Sequence, residues 1–261
     1  MILRRLFRGA EAERPLRPPP RPERRTYAVG DLHGRLDLCE AMLSAIAADA
    51  DGAEHDLVFL GDYVDRGPDS APVLRRLQGL GRDAARIVCL MGNHDRMLLD
   101  FLRDPVADPV WLGVGAQETL ASFGVPPVRA GEAPGDAERR VRAAGELAAA
   151  MGDDLRGWLA ARPLWWRSGD LVAVHALTDP GLPMEDQAEE TLLWARPVPG
   201  LPPRADGAWV VHGHTVMPEP RVQAGHVAVD TGAWRSGRLT AAVFTPSGDP
   251  PRFLQVSAET G

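Results

Sequence analysis

The sequence predicts an α/β fold: a parallel βαβαβ unit, then a mostly helical insertion, then a second sheet. Three observations carry this. The apolar runs "TYAVGD", "LVFLGD" and "IVCLMGN" end at Asp31, Asp62 and Asn93, a repeat of 31 residues in each case. Helix-patterned stretches, "LCEAMLSAIAADA" and "SAPVLRRLQGL", fill the gaps between them. After a long helical middle, β-like runs return near the end of the chain.

Taken in order, "ERPLRPPPRPERR" (Glu13 to Arg25) is rich in Pro and Arg and has no apolar period. It reads as extended and solvated, so residues 1–25 are expected to form a disordered basic tail, with the folded domain over 26–261. Strand–helix–strand spacing of about 30 residues implies parallel strands and right-handed crossovers. Asp69 or Ser70 is a plausible cap for the second helix. Residues 104–162 form the helical insertion, through "VWLGVGAQETLASFGV" and "DAERRVRAAGELAAAMGDDLRGWLAARP". The runs "LVAVHAL", "AWVVHGHTV", "HVAVDTG" and "RLTAAVFTP" are assigned to the second sheet.

Composition narrows the function classes. The chain is 44% hydrophobic and 25% charged, ordinary for a soluble globular protein. No stretch approaches the roughly 18 uninterrupted apolar residues of a membrane span. "MILRRLFRGA" is too short and too charged for a secretory leader, so a cytoplasmic location is expected. Cys39 and Cys89 lack any CxxC partner and read as buried free thiols. Net charge is −7; residues 1–25 carry eight Arg against three Glu, so the remainder carries −12 (−7 less +5). An acidic body argues against nucleic-acid binding. The oligomeric state is not legible.

In an open parallel sheet, ligands bind beyond the carboxyl ends of the strands, where Asp31, Asp62 and Asn93 fall. Four of seven histidines also follow apolar runs: His33, His94, His175 and His214. Asp31 and His33 lie two apart, so on one strand end they point the same way. Asp31, His33, Asp62, Asn93, His175 and His214 supply oxygen and nitrogen donors and no sulfur. Such a set fits Mn, Fe, Zn or Mg, with manganese the first expectation. Six ligands exceed what one catalytic ion with an open position needs, but they suit two ions sharing a carboxylate. Asp62, on the middle strand of the repeat, is the natural bridge. A hydroxide activated by both ions would then attack phosphorus in line. Arg66 can hold a phosphate bidentately. His94 can protonate the leaving oxygen, with Asp65 orienting its ring. Gly30, Gly61, Gly92 and Gly213 each precede a proposed site residue and allow close backbone approach.

The ordered set "GDLHG", "GDYVDRG", "GNHD", "VHA" and "GHT" resembles the calcineurin-like metallophosphoesterases. Within them it is most similar to the phosphoprotein-phosphatase group, in its bacterial serine/threonine phosphatase-like branch; "LLWAR" and "VDTGAWRSGRLTA" resemble that branch too. The resemblance spans Tyr27 to Phe244. It implies a two-sheet αββα core. Asp31, His33 and Asp62 would hold one divalent ion, and Asp62, Asn93, His175 and His214 the other. It further implies His94 as general acid with Asp65 behind it, and Arg66, Asn93 and Arg196 at the substrate phosphate. Asp95 stands where protein phosphatases usually carry Glu, and Asp there resembles the dinucleoside tetraphosphatases. The first expectation is therefore a dinuclear metal-dependent phosphoesterase acting on phosphorylated protein or a small phosphoester, probed first as a serine/threonine protein phosphatase. The alternative is a dinucleoside tetraphosphate hydrolase.

Overall fold

The computed structural model describes residues 17–258 apart from 84–85, 108–109, 129 and 132–134. The repeat predicted from the sequence is present. Strand β1 (Arg25–Val29), helix α1 (Leu36–Ala50), strand β2 (His55–Phe59), helix α2 (Ser70–Asp83) and strand β3 (Ile87–Cys89) follow one another. β1 pairs parallel with β2, and β2 with β3. The chain then enters α3 (Asn93–Arg103), α4 (Ala116–Ser122) and α5 (Asp136–Ala160). A short 3₁₀ turn at Val110–Gly113 precedes α4.

The second sheet comprises β4 (Trp165–Ser168), β5 (Leu171–Val174), β6 (Trp209–His212), β7 (Arg221–Gln223) and β8 (His226–Ala228), in the order β4-β5-β6-β8-β7. Helix α6 (Glu189–Trp194) lies between β5 and β6 in the chain, and α7 (Ala233–Ser236) follows β8. The chain finishes in the first sheet with β9 (Arg238–Phe244) and β10 (Arg252–Ser257), giving the order β10-β9-β1-β2-β3.

The two sheets pack face to face. Ala28, Val58, Leu60 and Leu90 from one side meet Leu171, Ala173, Val211 and Val227 from the other. The outer face of the first sheet (Tyr27, Val29, Phe59, Cys89) is covered by α1, α2, α3 and the insertion. Met184 and Leu192 cover Val172, Val174 and Val210 on the outer face of the second. This is the αββα arrangement. Each fully buried Val, Leu or Phe contributes about 1.5–3 kcal/mol.

Two expectations are corrected. "RLTAAVFTP" belongs to the first sheet: β9 pairs antiparallel with β1, Thr26 opposite Phe244 and Val29 opposite Ala241. Six of its seven residues are buried, because both of its faces are covered. A run apolar on both faces carries no alternation that would say which sheet it joins. The second correction concerns the tail. Residues 1–16 lie outside the described residues, but Arg17–Arg24 run along the second sheet. The Trp209 indole donates to the Pro18 carbonyl (2.9 Å), the Glu23 amide donates to Ser168 Oγ (2.9 Å), and Arg17 lies over the Trp209 ring. Pro-rich chain without a period of its own still buries if an edge offers it an aromatic face and acceptors. Trp165 and Trp166 sit on edge strand β4 and pack against the second sheet's two faces. Cys39 and Cys89 are buried free thiols. No helix among the described residues is long and apolar enough to cross a membrane.

Candidate active site

The carboxyl ends of β1, β2, β5 and β6 and the start of α3 open onto one another. Asp31 and His33 follow β1, Asp62 follows β2, Asn93 and His94 open α3, His175 follows β5 and His214 follows β6. Asp31, His33, Asp62, Asn93, His94 and His175 are buried, and His214 is half-buried.

Close approach of these strand ends requires the glycines. A Cβ on Gly61 would sit 2.6 Å from the Gly92 backbone and 3.0 Å from the His175 ring. One on Gly92 would overlap the Asp62 amide and carboxylate. The glycines thus let strand-end loops touch each other. The loops are also strained. Among the described residues, seven that are not Gly have positive φ, and five of them are His33, Asp62, Asp65, Arg66 and His214. Such conformations cost roughly 1–3 kcal/mol each and persist where surrounding contacts over-determine them. The left-handed φ of His33 (43°) also corrects the strand-alternation reading. β1 ends at Val29, so a turn, not the pleat, brings Asp31 and His33 to the same site.

Two groups of ligand atoms gather here, each within 4.8 Å: His33, Asp62 and His94, and Asp62, His175 and His214. Asp62 is common to both. The ring tautomers are fixed from behind. His33 Nδ1 donates to the Val64 carbonyl (2.7 Å) and His175 Nδ1 to the Leu60 carbonyl (2.9 Å). Burial lowers the His33 pKa to about 3 and lowers that of His175, so both rings are neutral. Their Nε2 lone pairs therefore face acceptor oxygens, His33 Nε2 also accepting from Arg66. His33 Nε2 is 3.5 Å from Asp62 Oδ2, and His175 Nε2 is 3.5 Å from Asp62 Oδ1 and 2.9 Å from Asn93 Oδ1. The buried Nε2 of His214 has no hydrogen-bond partner. Lone pairs that converge without protons between them are what a cation relieves, and backbone carbonyls behind ligating imidazoles are the usual outer-shell support. The donor set fits a pair of divalent ions.

Asp31 lies beside this cluster. Both of its oxygens accept the His214 amide (3.2 Å). Burial and the neighbouring Asp230 and Asp62 carboxylates push its pKa well above the ordinary range, and a nearby cation would reverse this. Burial works against charge on Asp62 too, but the charged His94 imidazole and the His94 amide that this carboxylate accepts (2.9 Å) hold it below its usual value. Asp230 accepts the Gly232 amide (2.8 Å) and orders a turn.

His94 and Arg66 form the opposite wall. His94 Nδ1 meets Asp65 Oδ2 at 2.6 Å. Burial opposes charge on this imidazole, yet Asp62 and Asp65 prevail and raise its pKa. The Arg66 guanidinium reaches His33 Nε2 (3.0 Å) and His94 Nε2 (2.8 Å), and stacks near the exposed Trp234 ring (5.3 Å). Asp95 accepts the amides of Asp62 (2.8 Å), Tyr63 (3.0 Å) and Gly92 (3.0 Å), tying the β2 and β3 loops together. Arg196 is exposed after α6, and its charge is felt at the His214 ring. It makes no direct contact with the imidazole cluster among the described residues.

Three supports escape a sequence reading. Trp111 Nε1 (2.9 Å) and Thr119 Oγ1 (2.6 Å) both donate to Asp65, and Ser70 Oγ accepts the Asp65 amide (3.1 Å). Trp111 and Thr119 belong to the helical insertion, which therefore braces the carboxylate behind His94. In the sequence, Trp111 shows only an apolar residue in a helical stretch.

A two-sheet αββα core with paired metal-ligand clusters at its strand ends is a metallophosphoesterase architecture. The chain belongs to the calcineurin-like phosphoesterase family, whose profile matches residues 24–218. Among its relatives, a symmetrical bis(5'-nucleosyl)-tetraphosphatase of Methylococcus capsulatus is 33% identical over 166 residues, 64% of this chain and 46% of that protein. The chain thus spans about half the length of this relative. The enzyme of the same name from Pseudomonas putida is 30% identical over 266 residues, covering 82% of this chain and 88% of that one. A crystal structure provisionally named a diadenosine tetraphosphatase superposes with a TM-score of 0.62 at 24% identity, over 91% of this chain and 95% of that one.

Proposed function

We propose that this protein is a metal-dependent hydrolase that cleaves dinucleoside tetraphosphates. The observation that carries the substrate class is the similarity, over 82% of the chain, to an enzyme named for that substrate. It outweighs the serine/threonine phosphatase reading drawn from "LLWAR", and Asp95 in "GNHD" agrees with it.

Asp31, His33, Asp62, Asn93, His175 and His214 would hold two divalent ions, with Asp62 shared. Bound there, the ions would supply Lewis-acid charge and a nucleophilic water at neutral pH. The chain's own groups do the rest. Arg66, between His33 and His94, neutralises oxygens of the phosphoryl group under attack. His94 Nε2 accepts from Arg66 in this arrangement; once Arg66 turns to the phosphoryl oxygens, Nε2 carries a proton and delivers it to the bridging oxygen as the phosphorus–oxygen bond breaks. Asp65 keeps Nδ1–H engaged and stabilises the imidazolium. Trp111 and Thr119 hold Asp65 in turn. A phosphate leaving group is a weaker base than a serine alkoxide, so the acid contributes less to anhydride cleavage than to phosphoserine cleavage.

The test is a comparison of kcat/KM on diadenosine tetraphosphate and on a phosphoserine peptide, with Mn²⁺ supplied. A strong preference for the nucleotide is expected. A preference for the peptide would restore the protein-phosphatase reading.

A further inference from the structure

Beside His214, a cavity of about 600 Å³ opens between the loop after α6 and the β6–β8–β7 end of the second sheet. None of the proposed metal ligands lines it, although His212 and Thr215 flank Gly213 and His214 in the chain. Its wall is mixed. Val198, Leu201 and Met217 are apolar, Arg196 and Arg221 are cationic, and Gln223 carries an amide. His212 places a buried aromatic ring at the wall. Neither Arg196 nor Arg221 belongs to an ion pair among the described residues.

Two unpaired guanidinium groups on one cavity favour an anionic ligand, and they are poorly used by a neutral one. Apolar side chains beside two imidazole rings, His212 and His226, suit a flat heterocycle. The size lies within the range of pockets for small ligands and cofactors, about 300–1,000 Å³. Both properties meet in a nucleoside phosphate. The cavity also abuts the ligand cluster, since His212 and Thr215, which flank His214 in the chain, both line it. A phosphate chain leaving that cluster would pass Arg196 first.

Resting on the dinucleoside reading above, we propose that this cavity is the subsite for one nucleoside end of the substrate. Arg196 and Arg221 take phosphate oxygens, and the base lies against Leu201, Met217 and the His212 ring. Gln223 faces the base edge. A substrate with no nucleoside leaves this space to water, so the cavity sets selectivity for dinucleotides over small phosphomonoesters.

The experiment measures kcat/KM on diadenosine tetraphosphate, on a phosphoserine peptide and on p-nitrophenyl phosphate, with Mn²⁺ supplied, for the wild type, Arg221→Ala and Leu201→Trp. Arg221 is exposed, so its replacement leaves folding intact even if the larger indole at position 201 does not. Loss of one charged hydrogen-bonding partner should reduce the nucleotide-to-phenyl selectivity about 10–100-fold. If the wild type prefers the dinucleotide and Arg221→Ala keeps the same selectivity, the subsite is overturned while the function stands. If the wild type turns over phosphopeptide in preference to dinucleotide, the functional reading fails and takes the subsite with it.

Discussion

Replacing Asp65 with Asn removes a charge from a carboxylate with no solvent exposure. Three donors converge on it: His94 Nδ1 at 2.6 Å, Thr119 Oγ1 at 2.6 Å and Trp111 Nε1 at 2.9 Å. An Asn oxygen satisfies some of them, but its NH₂ must then face a donor. A buried donor left unsatisfied costs about 1–3 kcal/mol of stability, visible in a thermal melt. The hydrogen bond to His94 also loses its charge, worth about 1.5–3 kcal/mol, so kcat should fall about 10–100-fold. The pH profile separates catalysis from folding. As the proposed general acid His94 would act in its protonated form, and its raised pKa keeps that form populated above the ordinary imidazole range. Activity is therefore lost as pH rises through that pKa. Asp65 is one of the groups raising it, so in Asp65→Asn the alkaline limb should move to lower pH. A variant with reduced kcat but an unmoved alkaline limb would refute the link between Asp65 and the His94 proton.

Further outcomes follow from the same geometry. His94→Asn should lower kcat by about 10²-fold on diadenosine tetraphosphate and more, up to about 10⁴-fold, on a phosphoserine peptide, with bound metal retained in elemental analysis. Asp62→Asn should lose both ions and all activity, because both ligand groups contain that carboxylate; two tightly held metals in this variant would contradict the bridge. Gly92→Ala should lower the melting temperature and activity together, since its methyl group would overlap Asp62. Dialysis against a chelator should abolish turnover, and Mn²⁺ should restore it; turnover that survives removal would exclude the metal role.

Most of the convergence at the proposed ligand cluster was legible because its chemistry is local. Each of Asp31, Asp62, Asn93, His175 and His214 ends an apolar run, and parallel strands bring such ends together whatever their distance in the chain. The turns were less legible. The positive φ of His33, Asp62 and Arg66 arises from contacts between loops, and L-residues carry no local preference for it. Trp111 and Thr119 were hidden for a related reason. Both lie on an amphipathic insertion whose apolar period says only that it packs, and Asp65 lies 46 and 54 residues away from them. The membership of β9 in the first sheet was hidden because a strand buried on both faces shows no period-2 signature. The substrate class was least legible, because the proposed ligands and acid would suit a phosphomonoester and a phosphoanhydride alike.

Crystals grown with Mn²⁺ and measured at the manganese absorption edge give the most direct test of the proposed paired-ion site. Two anomalous peaks about 3.5–4 Å apart are predicted, with Asp62 touching both, His33 on one side and His175 with His214 on the other. A single peak, or peaks that leave Asp62 uncoordinated, would contradict it.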